Sequence, residues 1–218
     1  MHADLERGVT VLTLVPGAPL AEAGLAPAAV VAAYRRMGEL LAAWHRIAMP
    51  AFGYLTTGLV DPRPDNAGFV REQFGRHLAT FAAHGGDAGL HDAIRTRLAA
   101  DGELLEACDG AVLCHNDFHE GNVLVDEAGA VTGFVDVENA IAADPLLDLA
   151  KTLQYDVERS PEKRAALLAG YGPLPPDADA RVDLYRLFHS LELWAYFASI
   201  GNTGPLPSIA DDIRELAG

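Results

Sequence analysis

The stretch from Val112 to Asp136 constrains the fold of this chain more than any other part of the sequence. Short apolar runs between polar turns predict three strands, at Ala111–Cys114, Asn122–Asp126 and Val131–Val135. The tight turn Glu127–Gly129 would join the last two strands into a hairpin. Asn122 then enters one strand of the hairpin and Asp136 leaves the other, so we expect their side chains to lie close together.

Four polar residues in this stretch have a spacing that suits phosphoryl transfer. His115, Asp117 and Asn122 follow the pattern H-x-D-x-x-x-x-N, and Asp136 closes the next apolar run. A carboxylate can orient an attacking hydroxyl and accept its proton. An amide oxygen and a second carboxylate are the kinds of ligand that magnesium prefers. The pattern therefore predicts Asp117 as the proton acceptor and Asn122 and Asp136 as magnesium ligands.

Two other interpretations of the histidines stay open. His115 and His119 are four residues apart, which suits a zinc-binding pair on one face of a helix. Gly121 and the flanking strands disfavour a helix at this place. The second interpretation is that both histidines are ordinary polar residues at the end of a strand.

Three segments of the chain resemble one enzyme family. They read HNDFHEGNVL from His115, GFVDVE from Gly133 and DPLLDLA from Asp144, and they closely resemble the aminoglycoside phosphotransferase and choline kinase family. The resemblance implies an α+β, mainly helical, protein-kinase-like fold and transfer of the γ-phosphate of ATP to a small-molecule hydroxyl. Residues 1–20 would be a remnant N-lobe strand and hinge. Residues 21–218 would be a helical C-terminal lobe with a catalytic loop at 112–138 and a short β-hairpin.

The resemblance also implies a role for each site residue. Asp117 would be the catalytic base, and Asn122 and Asp136 would bind Mg²⁺ beside ATP or GTP. His115 would be the structural histidine of the loop, and Asp148 would support the loop from the following helix.

Two positions depart from the commonest family pattern. Asn116 stands where glycine is usual, and Glu120 stands where proline is usual. Neither change removes a chemical group, but Glu120 adds negative charge beside the site. Glu138, two residues beyond Asp136, is an extra metal ligand, a group that supports the metal ligands or contacts substrate, or a solvent-facing acid.

The N-terminal residues resemble a hinge. Val9–Val15 is a predicted strand that ends at the breakers Pro16–Pro19. By resemblance it is the last strand of the N-terminal lobe, and the backbone near Leu14 and Val15 would bind adenine.

A complete enzyme of this type has a glycine-rich loop, a strand lysine and a helix glutamate before the hinge. Here the first lysine is Lys151, and nothing between Met1 and Val9 resembles a glycine-rich loop. We therefore expect most of the N-terminal lobe to be missing from this sequence. An uncovered strand edge invites pairing, so we also expect a homodimer or an N-lobe supplied by a partner.

Apolar periodicity predicts most of the remaining structure as helix. The first helix carries an apolar stripe, and His45 near its end is expected to be a buried structural residue. Pro50–Pro64, rich in Gly, Thr and Pro, is predicted to be a loop. The predicted helices are Pro27–Ala48, Asn66–His84, Asp87–Cys108 with a break at Gly102, a helix from Asp144–Pro145, Ser160–Tyr171, Asp177–Ile200 and Ile209–Leu216.

The acceptor is the least defined part of the prediction. By resemblance the C-terminal helices shape its pocket, and Asp156, Glu158 and Glu192 are candidate contacts to a cationic group. The formal net charge of −15 disfavours nucleic-acid and anionic-membrane partners. It is compatible with a cationic acceptor or simply with a solubilising acidic surface.

Localisation and activity follow as further expectations. The sequence has no apolar run of 18 residues and no signal peptide, and its two cysteines suit free thiols in the cytoplasm. Three functions are compatible with the residues. They are an ATP- and Mg-dependent phosphotransferase acting on an aminoglycoside- or choline-like hydroxyl, a catalytically impaired binding module, and a half-enzyme completed by a missing or partner N-lobe.

Overall fold

A computed structural model describes the backbone of residues 2–4, 9–11, 13–154, 157 and 160–218, and the side chains from residue 13 onward within those ranges. The described chain is mainly helical, with small antiparallel sheets. Its helices are α1 (Pro27–Trp44), α2 (Asn66–Ala83), α3 (Ala88–Asp101), α4 (Pro145–Gln154), α5 (Pro161–Tyr171), α6 (Ala178–Ser199) and α7 (Leu206–Ala217). Its strands are β1 (His2–Asp4), β2 (Val9–Val11), β3 (Ala18–Pro19), β4 (Phe52–Leu55), β5 (Leu59–Arg63), β6 (Val112–Cys114), β7 (Val123–Val125), β8 (Val131–Phe134) and β9 (Ile141–Ala143).

The strands form three separate sheets, with orders β1-β2, β3-β7-β8 and β5-β4-β9-β6. The predicted hairpin is the β7–β8 pair, in which Val123 lies opposite Phe134. Gly129 turns the chain between these strands with a positive φ of 84°, a conformation that glycine adopts without steric cost. β6 lies in the four-stranded sheet, where Cys114 pairs with Ile141. Two different sheets therefore hold the two ends of the predicted catalytic loop.

Helices α1 and α5 cross at very short range. Tyr34, Met37 and Leu41 lie on the buried face of α1. A Cβ atom on Gly38 would overlap the carbonyl oxygen of Leu167, and one on Gly170 would overlap that of Arg35. Glycine at these positions lets the two backbones touch, which fixes the relative position of α1 and α5.

Helix α6 lies at the centre of the helical core. Leu184, Leu187 and Leu191 have no exposed surface, and α6 packs against α2, α4 and α7. Phe188 stacks edge-on against Phe74 of α2, with ring centroids 5.2 Å apart. This helical core supports the sheet that carries β6.

Most helix predictions are confirmed, including Asp144 before α4, whose Oδ1 accepts a hydrogen bond from the backbone nitrogen of Leu146. The break predicted at Gly102 is also found, since α3 ends there and a 3₁₀ helix follows. The first helix ends at Trp44 rather than Ala48. Ala48 instead forms an isolated bridge with Val112, because the chain there must turn along the edge of β6.

One prediction for the connecting segments is wrong, and another is confirmed only in part. Pro50–Pro64 is not a loop but contains the β4–β5 hairpin. Pro62 is tolerated because β5 is an edge strand. The predicted strand Val9–Val15 is a strand only over Val9–Val11, which pairs with His2–Asp4; residue 12 lies outside the described residues. Among the described helices, none has the length and apolar character needed to cross a membrane.

Candidate functional site

The segment between β6 and β7 is held from below by one buried carboxylate. Asp148 lies in the first turns of α4 with no exposed surface. Its Oδ2 accepts a hydrogen bond from the backbone nitrogen of His115 at 2.6 Å, and its Oδ1 accepts one from that of Asn116 at 2.8 Å. These are the contacts that a supporting role for Asp148 requires.

A histidine and a tyrosine extend this support into the helical core. His45 Nε2 lies 3.0 Å from Asp148 Oδ2, and its Nδ1 lies 2.8 Å from the hydroxyl of Tyr171. We call Asp148, His45 and Tyr171 the Asp148 network. It joins the end of α1, the start of α4 and the end of α5. His45 is thus a buried residue with both ring nitrogens engaged, as a structural histidine should be.

The network sets the ionisation of its carboxylate. Burial by itself would raise the pKa of Asp148, but the hydrogen bond and charge of His45 and the backbone bonds from His115 and Asn116 outweigh it. The pKa therefore lies below its usual value, and the carboxylate is charged at neutral pH. Cys114 Sγ also lies close, within 4.8 Å of ligand atoms of His45 and Asp148. Because those atoms already bond to protein groups, we assign the cluster a structural role.

Two residues of the site have left-handed backbone conformations. Asn116 has φ 62° and Asp136 has φ 65°. Asparagine and aspartate adopt this region more readily than other residues with a side chain. The backbone at Asn116 explains why glycine suits this position and why asparagine can replace it. Such strained residues cluster at functional sites, where the surrounding structure maintains them.

Asp117 and Asn122 contact each other directly. The amide Nδ2 of Asn122 donates to the backbone oxygen of Asp117 at 2.9 Å and to its carboxylate Oδ2 at 3.1 Å. His119 Nε2 lies 3.7 Å from the same carboxylate oxygen. Asn122 thereby orients the Asp117 carboxylate. The side chains of His115 and His119 contact different groups, the first the carbonyl of Val135 and the second the carboxylate of Asp117.

The hairpin register brings the backbone just before Asp136 next to Asn122. The backbone nitrogen of Val135 donates to the carbonyl of Asn122 at 2.9 Å. His115 Nε2 lies 3.0 Å from the carbonyl of Val135. His115 therefore ties the start of the loop to the residue before Asp136. Asp136 is exposed.

An aromatic cluster encloses His115 on its other side. Its ring centroid lies 5.4 Å from that of Phe118 and 5.6 Å from that of Phe134. Trp44 packs edge-on against Phe134 at 5.2 Å. The cluster joins α1, the loop and β8, so the loop is fixed by apolar contact as well as by hydrogen bonds.

The remaining predicted residues lie in different surroundings. Leu14 is 89% exposed, and Val15 lies beside β8, where its side chain occupies the space that a Cβ on Gly133 would need. Glu138 is exposed in a 3₁₀ turn after Asp136. Asp156 and Glu158 lie outside the described residues.

Glu192 already has cationic partners within the chain. Lys151 Nζ and His189 Nδ1 each lie 3.3 Å from its Oε2. Burial opposes ionisation, but Lys151 and His189 outweigh it and hold the pKa of Glu192 below its usual range. Its charge is therefore already compensated inside the chain, and the structure gives the prediction of a cation contact at Glu192 no support.

Sequence patterns did not identify three residues that shape the site. Tyr34 on α1 and Lys163 on α5 contact Glu120 of the loop. Tyr171, at the end of α5, contacts His45, which in turn contacts Asp148. Each occupies an ordinary position in an amphipathic helix, so no local signal marks it. The unusual Glu120 was the one available indication of such residues, because a charged side chain beside the site required a partner.

Comparison with known proteins gives one family and a set of similar folds. The family model described as "Phosphotransferase enzyme family" matches residues 2–185. A thermostable mutant of the aminoglycoside phosphotransferase APH(4)-Ia, solved with AMP-PNP and hygromycin B, is 19% identical with a TM-score of 0.70; the match covers 93% of this chain and 68% of that chain. A choline/ethanolamine kinase family protein from Mesorhizobium loti is 19% identical with a TM-score of 0.62, over 99% of this chain and 70% of that one. No curated protein matches the chain. These likenesses confirm the predicted mainly helical, kinase-like fold.

Proposed function

Because the chain belongs to the phosphotransferase enzyme family, we propose that it transfers the γ-phosphate of ATP or GTP to a hydroxyl group of a small molecule, with Mg²⁺. The contact between Asn122 and Asp117 carries this proposal. It places a carboxylate and an amide side chain together at the end of a hairpin whose other strand leads to Asp136. Phosphoryl transfer needs positioned charge more than covalent help from the protein, and these groups provide it.

In this proposal Asp117 receives the acceptor. Its side chain is 23% exposed, so a hydroxyl can reach it. The bond from Asn122 orients this carboxylate, which would receive the acceptor hydroxyl and take its proton. The Asp148 network keeps the loop backbone in place during this step.

Asn122 and Asp136 fit a magnesium ion by their chemistry. A carboxylate and an amide oxygen are hard oxygen donors, and magnesium usually takes few protein ligands and completes its shell with water and phosphate. The ion would neutralise charge on the transferred phosphate. The exposed Glu138 lies two residues further and adds negative charge near the same place. The backbone near Leu14 and Val15 is proposed to bind the base of the nucleotide.

The acceptor class is proposed only as a hydroxyl compound of aminoglycoside or choline type. The likeness to an enzyme solved with hygromycin B favours the first. The compensated charge of Glu192 removes one reason to require a cationic acceptor. A homodimer or a partner-supplied N-lobe and a cytoplasmic location stay predictions; light scattering at high protein concentration tests the first of these.

The direct test is nucleotide consumption with a panel of amino sugars, choline-like alcohols and nucleosides. We expect acceptor-dependent turnover that Asp117→Ala lowers by about 10²- to 10⁴-fold. Asp179→Ala, which removes a carboxylate that is 94% exposed, should leave turnover unchanged. Calorimetry with Mg-ATP measures whether the same proteins bind the nucleotide. Nucleotide binding without turnover by the wild type would favour a binding module, and the absence of both would contradict the proposal.

A further inference from the structure

The unusual Glu120 forms a cluster with two helices. Its Oε2 accepts a hydrogen bond from the hydroxyl of Tyr34 at 2.6 Å and one from Lys163 Nζ at 2.9 Å. Lys163 Nζ also lies 5.0 Å from the centre of the Tyr34 ring, within the range of a cation–π contact. We call Tyr34, Glu120 and Lys163 the Glu120 cluster.

Partial burial strengthens the cluster. The Glu120 and Lys163 side chains are only 18% and 21% exposed. A charge-assisted hydrogen bond shielded from solvent is stronger than an exposed ion pair. The negative charge that Glu120 brings to the loop is thus compensated by Lys163, and the position acts as an anchor.

The Glu120 backbone adds a further attachment. Its carbonyl oxygen accepts a hydrogen bond from the backbone nitrogen of Ala21 at 3.1 Å. Ala21 lies in the 3₁₀ turn directly after β3, which pairs with β7. One residue therefore joins the loop to α1, to α5 and to the segment that follows the predicted hinge.

The anchor lies between the two residues that matter most for the proposed chemistry. Glu120 is three residues after Asp117 and two before Asn122, and those two side chains bond to each other across it. On the helix side, α1 and α5 are fixed by the close contacts at Gly38 and Gly170. A rigid pair of helices thus holds the middle of the loop.

We propose that Glu120 is a positioning residue, which sets the geometry of Asp117 and Asn122 by anchoring the loop to Tyr34 and Lys163. Glu120 restricts the loop through tertiary bonds, so in this chain the loop geometry depends on α1 and α5. This role rests on the proposed phosphotransferase function.

Steady-state kinetics of four variants test the role. Glu120→Gln keeps an acceptor for Tyr34 but loses the charge, and Lys163→Met removes the charged donor. We expect each to lower kcat about tenfold and to change the KM for nucleotide by less than about twofold, with the double variant no worse than either single. Arg164→Met, the neighbouring residue whose partner Asp179 is exposed, should match the wild type.

A merely structural role would give a different result. In that case Glu120→Gln and Lys163→Met would lower Tm yet keep the wild-type kcat at temperatures well below unfolding. Unchanged kcat, or losses that add in the double variant, would overturn the proposal.

Hydrogen exchange separates this proposal from the proposed function. If the wild type shows no Asp117-dependent turnover, exchange of the peptide spanning residues 116–124 is still measurable by mass spectrometry. We expect that peptide to exchange faster than in the wild type in Glu120→Gln and Lys163→Met. In Arg164→Met it should exchange at the wild-type rate. Equal exchange in all three variants would show that the cluster does not hold the loop.

Discussion

At the scale of single residues, the site depends on one carboxylate that has been removed from water. A buried charge is tolerated only when it is paired and hydrogen-bonded, and Asp148 receives donors from His45, His115 and Asn116. Two of those donors are backbone groups of the loop itself. The hydrogen bonds that stabilise the buried Asp148 carboxylate therefore also fix the loop backbone at His115 and Asn116.

Replacing Asp148 with asparagine should be costly and pH-dependent. The Asn amide would turn a donor toward a backbone N–H, so we expect a loss of about 3 kcal/mol in unfolding free energy at neutral pH. The folded pKa of Asp148 is lowered, so its contribution is present above the ordinary aspartate pKa of about 3.9 and disappears as pH falls through the folded pKa. Urea unfolding of both proteins across this range measures the difference.

Asp179→Asn is the matched control, because its carboxylate is exposed. We expect it to change the unfolding free energy little at any pH. A difference between wild type and Asp148→Asn that is as large at pH 3 as at pH 7 would contradict the assigned charge state.

Sequence reasoning at this scale found the residues whose chemistry and spacing are local. These residues, His115, Asp117, Asn122 and Asp136, belong to one 22-residue stretch. In the structure His115 contacts the carbonyl of Val135, and Asn122 contacts Asp117. Their catalytic roles stay predictions. Tyr171 could not be identified, because its partner His45 is 126 positions away and nothing in α5 marks a residue that reaches it.

At the scale of secondary structure, the helices and the strands β6, β7 and β8 were predictable. Strands β4, β5 and β9 were not. The apolar stripe of α1 repeats over five turns, so its period is clear even without tertiary contacts. β4, β5 and β9 have only three to five residues each, too few to show alternation. These strands form because neighbouring strands supply hydrogen bonds. The Gly, Thr and Pro residues of the β4–β5 segment are typical of loops, so the sequence there did not indicate strands.

The close crossing of α1 and α5 gives a prediction about glycine. Gly38→Ala and Gly170→Ala should each destabilise the protein by about 3 kcal/mol, because a methyl group would push the two backbones apart. Thermal and urea unfolding measure the effect.

Gly75→Ala in α2 is the control for helix propensity. A Cβ there meets nothing within 4 Å, so alanine should stabilise the helix by about 1 kcal/mol. If all three substitutions changed stability in the same direction, the close contact would not be the cause of the loss.

At the scale of the whole molecule, the net charge of −15 opposes compaction. Mutual repulsion among surface carboxylates destabilises a compact state. Ion pairs such as Lys163–Glu120 and Arg181–Asp144 satisfy acids near the core, so the excess charge lies mainly at exposed positions. Its effect should then be sensitive to salt.

We expect sodium chloride to stabilise the protein at neutral pH. Raising ionic strength from about 0.01 M to about 0.1 M shortens the Debye length from about 30 Å to about 10 Å. The unfolding free energy should rise by about 1 kcal/mol, as measured by urea titration at both salt concentrations. The gain should vanish near the pH at which the chain carries no net charge; a gain that persists there would indicate specific ion binding instead.

The long separation between His45 and Tyr171 has a consequence for synthesis. Contacts between distant parts of a chain form late, because a large loop must close before they can contribute. A nascent chain still on the ribosome that ends before α5 can form α1 and the β7–β8 hairpin, yet it cannot complete the support beneath them. The order of translation therefore leaves the loop between β6 and β7 without this support until nearly four-fifths of the polypeptide has been made.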